Sequence, residues 1–193
     1  MKALLRSTFY NLAGYLQQLK RKSMVLMYHR ILPEGEIAEE SPYLRGVCVE
    51  LEKFEEQIQY LSNEYDIISI DGLFSDQTIH NRPVVVLTFD DGYRDNIQYA
   101  VPILKKYNIP ATVYVATCFP DGETFVWWRE LADIIDEYSH LEFEWKGNKY
   151  NMEIDNEKKK KNAWNELSLL FKRIGDQKSL KELMMLIRGD KQE

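Results

Sequence analysis

The 193-residue sequence is poor in the residues that build metal or disulfide frameworks. It has two cysteines, Cys48 and Cys118, and three histidines, His29, His80 and His140. Two cysteines in a chain of this length make no disulfide scaffold, and no Cys/His spacing suggests a zinc knuckle. The histidines are far apart, so no two can offer metal ligands from one helical turn. Basic charge is also scarce. Lys and Arg number 25 against 31 Asp and Glu, a net charge of −6, which argues against a nucleic-acid partner. No apolar run reaches the length of a membrane span, and no internal repeat is visible.

The opening MKALLRSTFYNLAGYLQQLKRKS lacks the unbroken apolar stretch of a secretory signal, because Arg6, Ser7, Asn11, Gln17 and Gln18 interrupt it. Leu5, Phe9, Leu12, Leu16 and Leu19 instead recur at helical spacing. The expectation over 1–23 is an amphipathic helix packed on its own domain. Contact with a membrane surface through its basic end is the alternative. The protein is expected in the cytoplasm, either free or peripheral to a membrane.

Beyond this helix, strand and helix patterns alternate. Met24 to Leu32 is short and apolar and reads as a buried strand; PEGEIAEESPYLRG reads as a loop. Leu51, Phe54, Ile58 and Leu61 mark a helix, DIISI a short strand, and the residues after Asp71 a short helix. VVVLTF, Val84 to Phe89, is the clearest strand, with the continuous β-branched run of a parallel strand covered on both faces. A turn and helix follow, with Pro102 either kinking that helix or sitting near its first turns, and then a strand ATVYVAT. This order predicts a parallel α/β core. The last third departs from it: a helix from about Trp127, a hairpin around Lys146-Gly147-Asn148, and helices over 155–175 and 177–188. The Lys158–Lys161 run reads as a solvated helix face, with contact to an anionic polymer as the sharper alternative.

The stretch with chemical content is VVVLTFDDGYRDN. An apolar strand ends on two adjacent carboxylates, Asp90 and Asp91, followed by Gly92. The C-terminal ends of parallel strands are where α/β sites gather. Two ionised carboxylates about 4 Å apart repel by roughly 1–4 kcal/mol, and a cation removes the conflict. One carboxylate can then bind metal while the other accepts a proton from water. The chemistry leaves open which does which. The plainer role is helix capping, for which one acid would suffice.

LTFDDGYRDN resembles the first signature of the polysaccharide deacetylases, carbohydrate esterase family 4, the NodB-homology domains. MYHRI, FEEQIQYL, DNIQYAVPILKKYNIPATVYVAT and the tryptophan pair Trp127-Trp128 extend the resemblance over roughly residues 24–135. It implies an irregular (β/α) barrel and a hydrolase of linear amides that removes acetyl groups from an N-acetylated cell-envelope or surface polysaccharide. It implies that Asp90 is the catalytic base and Asp91 a ligand to a divalent metal, zinc in most members. His29 and Tyr93 are expected to face substrate; the two tryptophans can offer further stacking faces, with core packing expected for at least one of them. The His-x3-His box that completes the family's metal site is absent, as are its later Arg-Pro motif and distal histidine. The expectation is therefore that 24–135 is the N-terminal portion of the barrel and that 136–193 is an inserted hairpin with helices. The chain would stop before the remaining ligands and be inactive alone. A deacetylase fold serving only as a carbohydrate-binding or scaffold module is the alternative.

Overall fold

The computed structural model describes residues 23–75, 82–117, 119 and 125–189. The expected helix over 1–23, His80 and Cys118 lie outside the described residues. The described residues divide into two units, one within 23–38 and 47–116, the other within 39–46 and 117–189.

In the first unit, β1 (Met24–Tyr28), β2 (Arg30–Leu32), α1 (Glu34–Glu39), β3 (Cys48–Glu50), α2 (Leu51–Glu64), β4 (Asp66–Ile67), α3 (Ile70–Ser75) and β5 (Val84–Phe89) follow in order. A π turn over Asn96–Ala100 leads into α4 (Val101–Lys106), and β6 (Thr112–Val113) closes the unit. All six residues of β5 are buried, as its β-branched run requires. β5 is the centre of a four-stranded parallel sheet. β1 pairs along one flank, from Met24↔Val85 to Tyr28↔Phe89. The other flank is shared: β4 meets Val84 and Val85, and β6 meets Thr88 and Phe89. Val85, Leu87 and Phe89 pack against Phe54, Ile58 and Leu61 of α2 and Ile103 and Leu104 of α4. Tyr28 binds this core together, edge-on to Phe54 at 5.2 Å and stacked on Phe89 at 5.4 Å between ring centroids.

Several local expectations need correction. Met24 to Leu32 is two strands broken at His29, since β2 leaves the sheet of β1 to pair with β3 in a separate parallel ladder. β1 is half-covered, with Val25 and Met27 exposed. The acidic stretch after Pro33 is a loop with a short helix, α1, inside it. In DIISI only Asp66 and Ile67 are strand, and α3 already starts at Ile70. ATVYVAT contributes two strand residues; Val113, Tyr114 and Val115 are exposed, although the Tyr114 N–H still donates to the Phe89 carbonyl at 2.7 Å. Pro102 lies inside a continuous helical run over 94–106, directly after the π turn, so its missing N–H falls within the helix and not at its start.

The second unit contains α5 (Trp127–Glu137), β7 (His140–Trp145), β8 (Asn148–Glu153), α6 (Glu157–Lys172) and α7 (Gln177–Arg188). β7 alternates strictly, burying Leu141, Phe143 and Trp145. The hairpin turns through Lys146 and Gly147 with φ of 50° and 77°, the paired left-handed residues a two-residue turn demands. Asn156 caps α6 and Asp176 caps α7, accepting from the N–H of Lys159 and Ser179. Gly189 ends α7 in the left-handed conformation. Leu131, Ile135, Leu167, Phe171 and Leu183 form the core with the hairpin, and Trp127 stacks on Phe171 at 5.1 Å. No helix among the described residues is long and apolar enough to cross a membrane.

Candidate active site

The carboxylate pair stands where β5 ends. Asp90 is the last residue tied to the sheet, its N–H donating to the Tyr28 carbonyl at 2.9 Å. Asp91 and Gly92 then take φ of 69° and 73°. Two successive left-handed residues reverse the chain within one step, and Asp and Gly are among the few residues that tolerate this. Gly92 is required twice over: a Cβ there would lie 3.0 Å from Val115 Cγ1. The turn thus packs directly against the segment after β6. Asp90, Asp91 and Tyr93 are all half-buried, so a solute can reach them.

His29 is the neighbour of Asp90 across the sheet. Tyr28 is in register with Phe89, so the next residue of each strand leaves the sheet at the same level. The junction between β1 and β2 is held by two buried residues, Asp95 and Asn96. Asp95 accepts from Arg30 Nε at 2.8 Å and from the Ile31 N–H at 3.3 Å. Oriented so that its nitrogen faces the two oxygens, the Asn96 amide donates to the His29 carbonyl at 2.9 Å and to Asp95 Oδ1 at 3.2 Å. Tyr93 lies under the Arg30 guanidinium, 5.0 Å from the ring centroid. The start of the helix after the turn therefore positions the backbone that carries His29. Below it, burial pushes the Tyr28 phenol up to about 12, so it stays a neutral donor to Gln57 Oε1 at 3.0 Å.

Of the residues singled out from sequence, Asp90, Asp91, Tyr93 and the backbone of His29 share this sheet end. His140 is in the hairpin of the other unit, exposed, with Nε2 3.0 Å from Asn151 Oδ1. Among the described residues no three His, Cys, Asp or Glu side chains come together as a metal site. The residues present do not by themselves fit a zinc ion; they supply a carboxylate pair. Arg30, Asp95 and Asn96 went unrecognised in the sequence. Asp95 and Asn96 lie inside the DDGYRDN stretch, but their partners are about 65 residues away and no spacing rule connects them.

Residues 78–144, which include the pair, match the family model for polysaccharide deacetylase. A curated relative, YxkH of Bacillus subtilis (strain 168), carries the polysaccharide deacetylase name provisionally. It is 33% identical over 98 residues, 49% of this chain and 32% of that protein. Among solved structures, the Streptococcus pyogenes deacetylase PplD in complex with acetate is 32% identical with a TM-score of 0.43, over 53% of this chain and 46% of that one. IcaB from Ammonifex degensii is 27% identical with a TM-score of 0.39, over 48% and 37%. The chain thus spans about a third of the length of the curated relative and less than half of these structures.

Proposed function

We propose that this chain, whose residues 78–144 match the polysaccharide deacetylase family model, serves a hydrolase that cleaves the acetamide C–N bond of an N-acetylated envelope or surface polysaccharide. The first unit is the opening portion of an irregular (β/α) barrel, and the turn after β5 is its reacting edge. The observation that carries this reading is the Asp90–Asp91–Gly92 turn, which brings two carboxylates out of a buried parallel strand at the sheet's C-terminal end.

Asp90, held by its backbone to β1, takes the proton from the attacking water. Asp91 would supply one carboxylate to a divalent cation, zinc by the family's habit, and no group of His, Cys, Asp or Glu among the described residues completes such a site. His29 and Tyr93 line the approach for the sugar. Tyr93 is already engaged by Arg30 on one side, so its contribution is an edge or the opposite face. The ligands missing among the described residues favour a second reading, a deacetylase fold that binds carbohydrate without turnover.

The two readings part in an acetate-release assay. The protein is expressed from its whole reading frame and given an N-acetylglucosamine oligomer. The enzyme reading expects acetate release, reduced about a hundredfold or more by D90N and by D91N. Release that both variants retain, or none from the unmodified protein with zinc supplied, removes the enzyme reading.

A further inference from the structure

We propose that the second unit carries a separate binding cleft for an anionic saccharide, walled by Tyr43 and Trp164 and edged by Lys158 and Lys161. The cleft has a volume of about 580 Å³, within the range of small-molecule sites. Its apolar wall is the stacked pair of Tyr43 and Trp164, with ring centroids 5.1 Å apart and planes 19° from parallel. A flat aromatic surface of this kind suits the apolar face of a pyranose ring.

The four consecutive lysines at the start of α6 do not act alike. Lys159 pairs with Asp155 at 3.0 Å, and Lys160 donates to the Asp136 carbonyl at 2.7 Å. Lys158 and Lys161, three residues apart on one helix face, both line the cleft. They are exposed and make no ion pair among the described residues. Asn165, one turn beyond Lys161, adds an amide that can donate and accept. Glu157 is the acid in the lining, and Asp136 also acts on Tyr43, so the two carboxylates stand at the tyrosine side while Lys158 and Lys161 supply the cations. Aromatic wall, amide and two uncommitted ammonium groups together fit a sugar that bears a carboxylate or phosphate. The choice of a saccharide over other anions rests on the deacetylase reading; the cleft itself does not.

The test is a titration of the 193-residue chain followed through the indole N–H signal of Trp164, assigned with W164F. Hyaluronan tetrasaccharide, which is N-acetylated and carboxylated, is compared with neutral chitotetraose and with inorganic phosphate. The K158E/K161E variant changes only solvated positions, and its fold is checked by circular dichroism and urea midpoint. We expect hyaluronan tetrasaccharide to move the Trp164 signal, at least about tenfold weaker binding by chitotetraose, and a similar loss in K158E/K161E. A Trp164 signal unmoved by millimolar hyaluronan tetrasaccharide overturns the proposal. Equal affinity for chitotetraose, equal affinity in K158E/K161E, or an equal shift with phosphate alone overturns it too. Acetate release is measured separately, so binding without hydrolysis would leave the cleft standing and count only against the enzyme reading.

Discussion

Gly92 is where sequence and site meet most tightly. Its φ of 73° disfavours any side chain, and a Cβ would press on Val115. G92A should cost about 1–3 kcal/mol in urea unfolding, from left-handed strain plus the close contact. An unchanged midpoint would mean that the turn can relax. Asp95 has a different weight. It is paired with Arg30, and both side chains are largely withdrawn from water, 7% and 14% exposed. D95A removes the carboxylate from beside a buried guanidinium and should cost about 3–5 kcal/mol. The double variant R30M/D95L should recover much of that loss in the same unfolding experiment. The acid pair was legible because an apolar strand, two carboxylates and a glycine fall in one continuous stretch. Asp95 and Asn96 were not, since their worth comes from strands that the fold delivers from elsewhere.

At the scale of elements, local pattern carried the helices and the hairpin. The Leu51–Phe54–Ile58–Leu61 spacing became the face of α2 that packs on β5, and the alternation in LEFEW became the buried side of β7. What failed was decided by pairing. Nothing within MVLMYHRIL says that the chain changes sheets at His29; that follows from β3 offering a partner to β2 and from Asn96 fixing the His29 carbonyl. ATVYVAT has strand composition throughout but only two residues with a ladder partner, so composition overstated its length. The cap of α6 is a local contact that the sequence reading did not name. Asn156 accepts from the Lys159 N–H at 3.1 Å, and N156A should lower stability by about 1 kcal/mol. Hydrogen exchange should quicken most in the first turn of α6; uniform quickening throughout the second unit would contradict a local cap.

For the molecule as a whole, the titrating groups bracket a plateau of stability. A side-chain bond from Lys159 holds Asp155, and the Ser179 backbone N–H holds Asp176, below the ordinary value of 3.8. Their contributions are present above that value and fade as pH falls through the lowered folded-state values. At the alkaline end, burial raises Tyr28 from 10.0 to about 12. Its contribution is complete below 10 and is lost as pH rises toward 12, by up to about 3 kcal/mol. Denaturation as a function of pH should be steeper above 10 in the unmodified protein than in Y28F; parallel profiles would show that the phenol is not the group responsible.

The claim beneath the functional reading is that Asp90 and Asp91 divide one site between proton transfer and metal binding. Zinc content per chain, measured on the protein expressed from its whole reading frame, tests that division directly. D91N should lose the metal, while D90N keeps it and loses turnover. Equal zinc in the unmodified protein and D91N would contradict the division, as would loss of the metal from D90N alone.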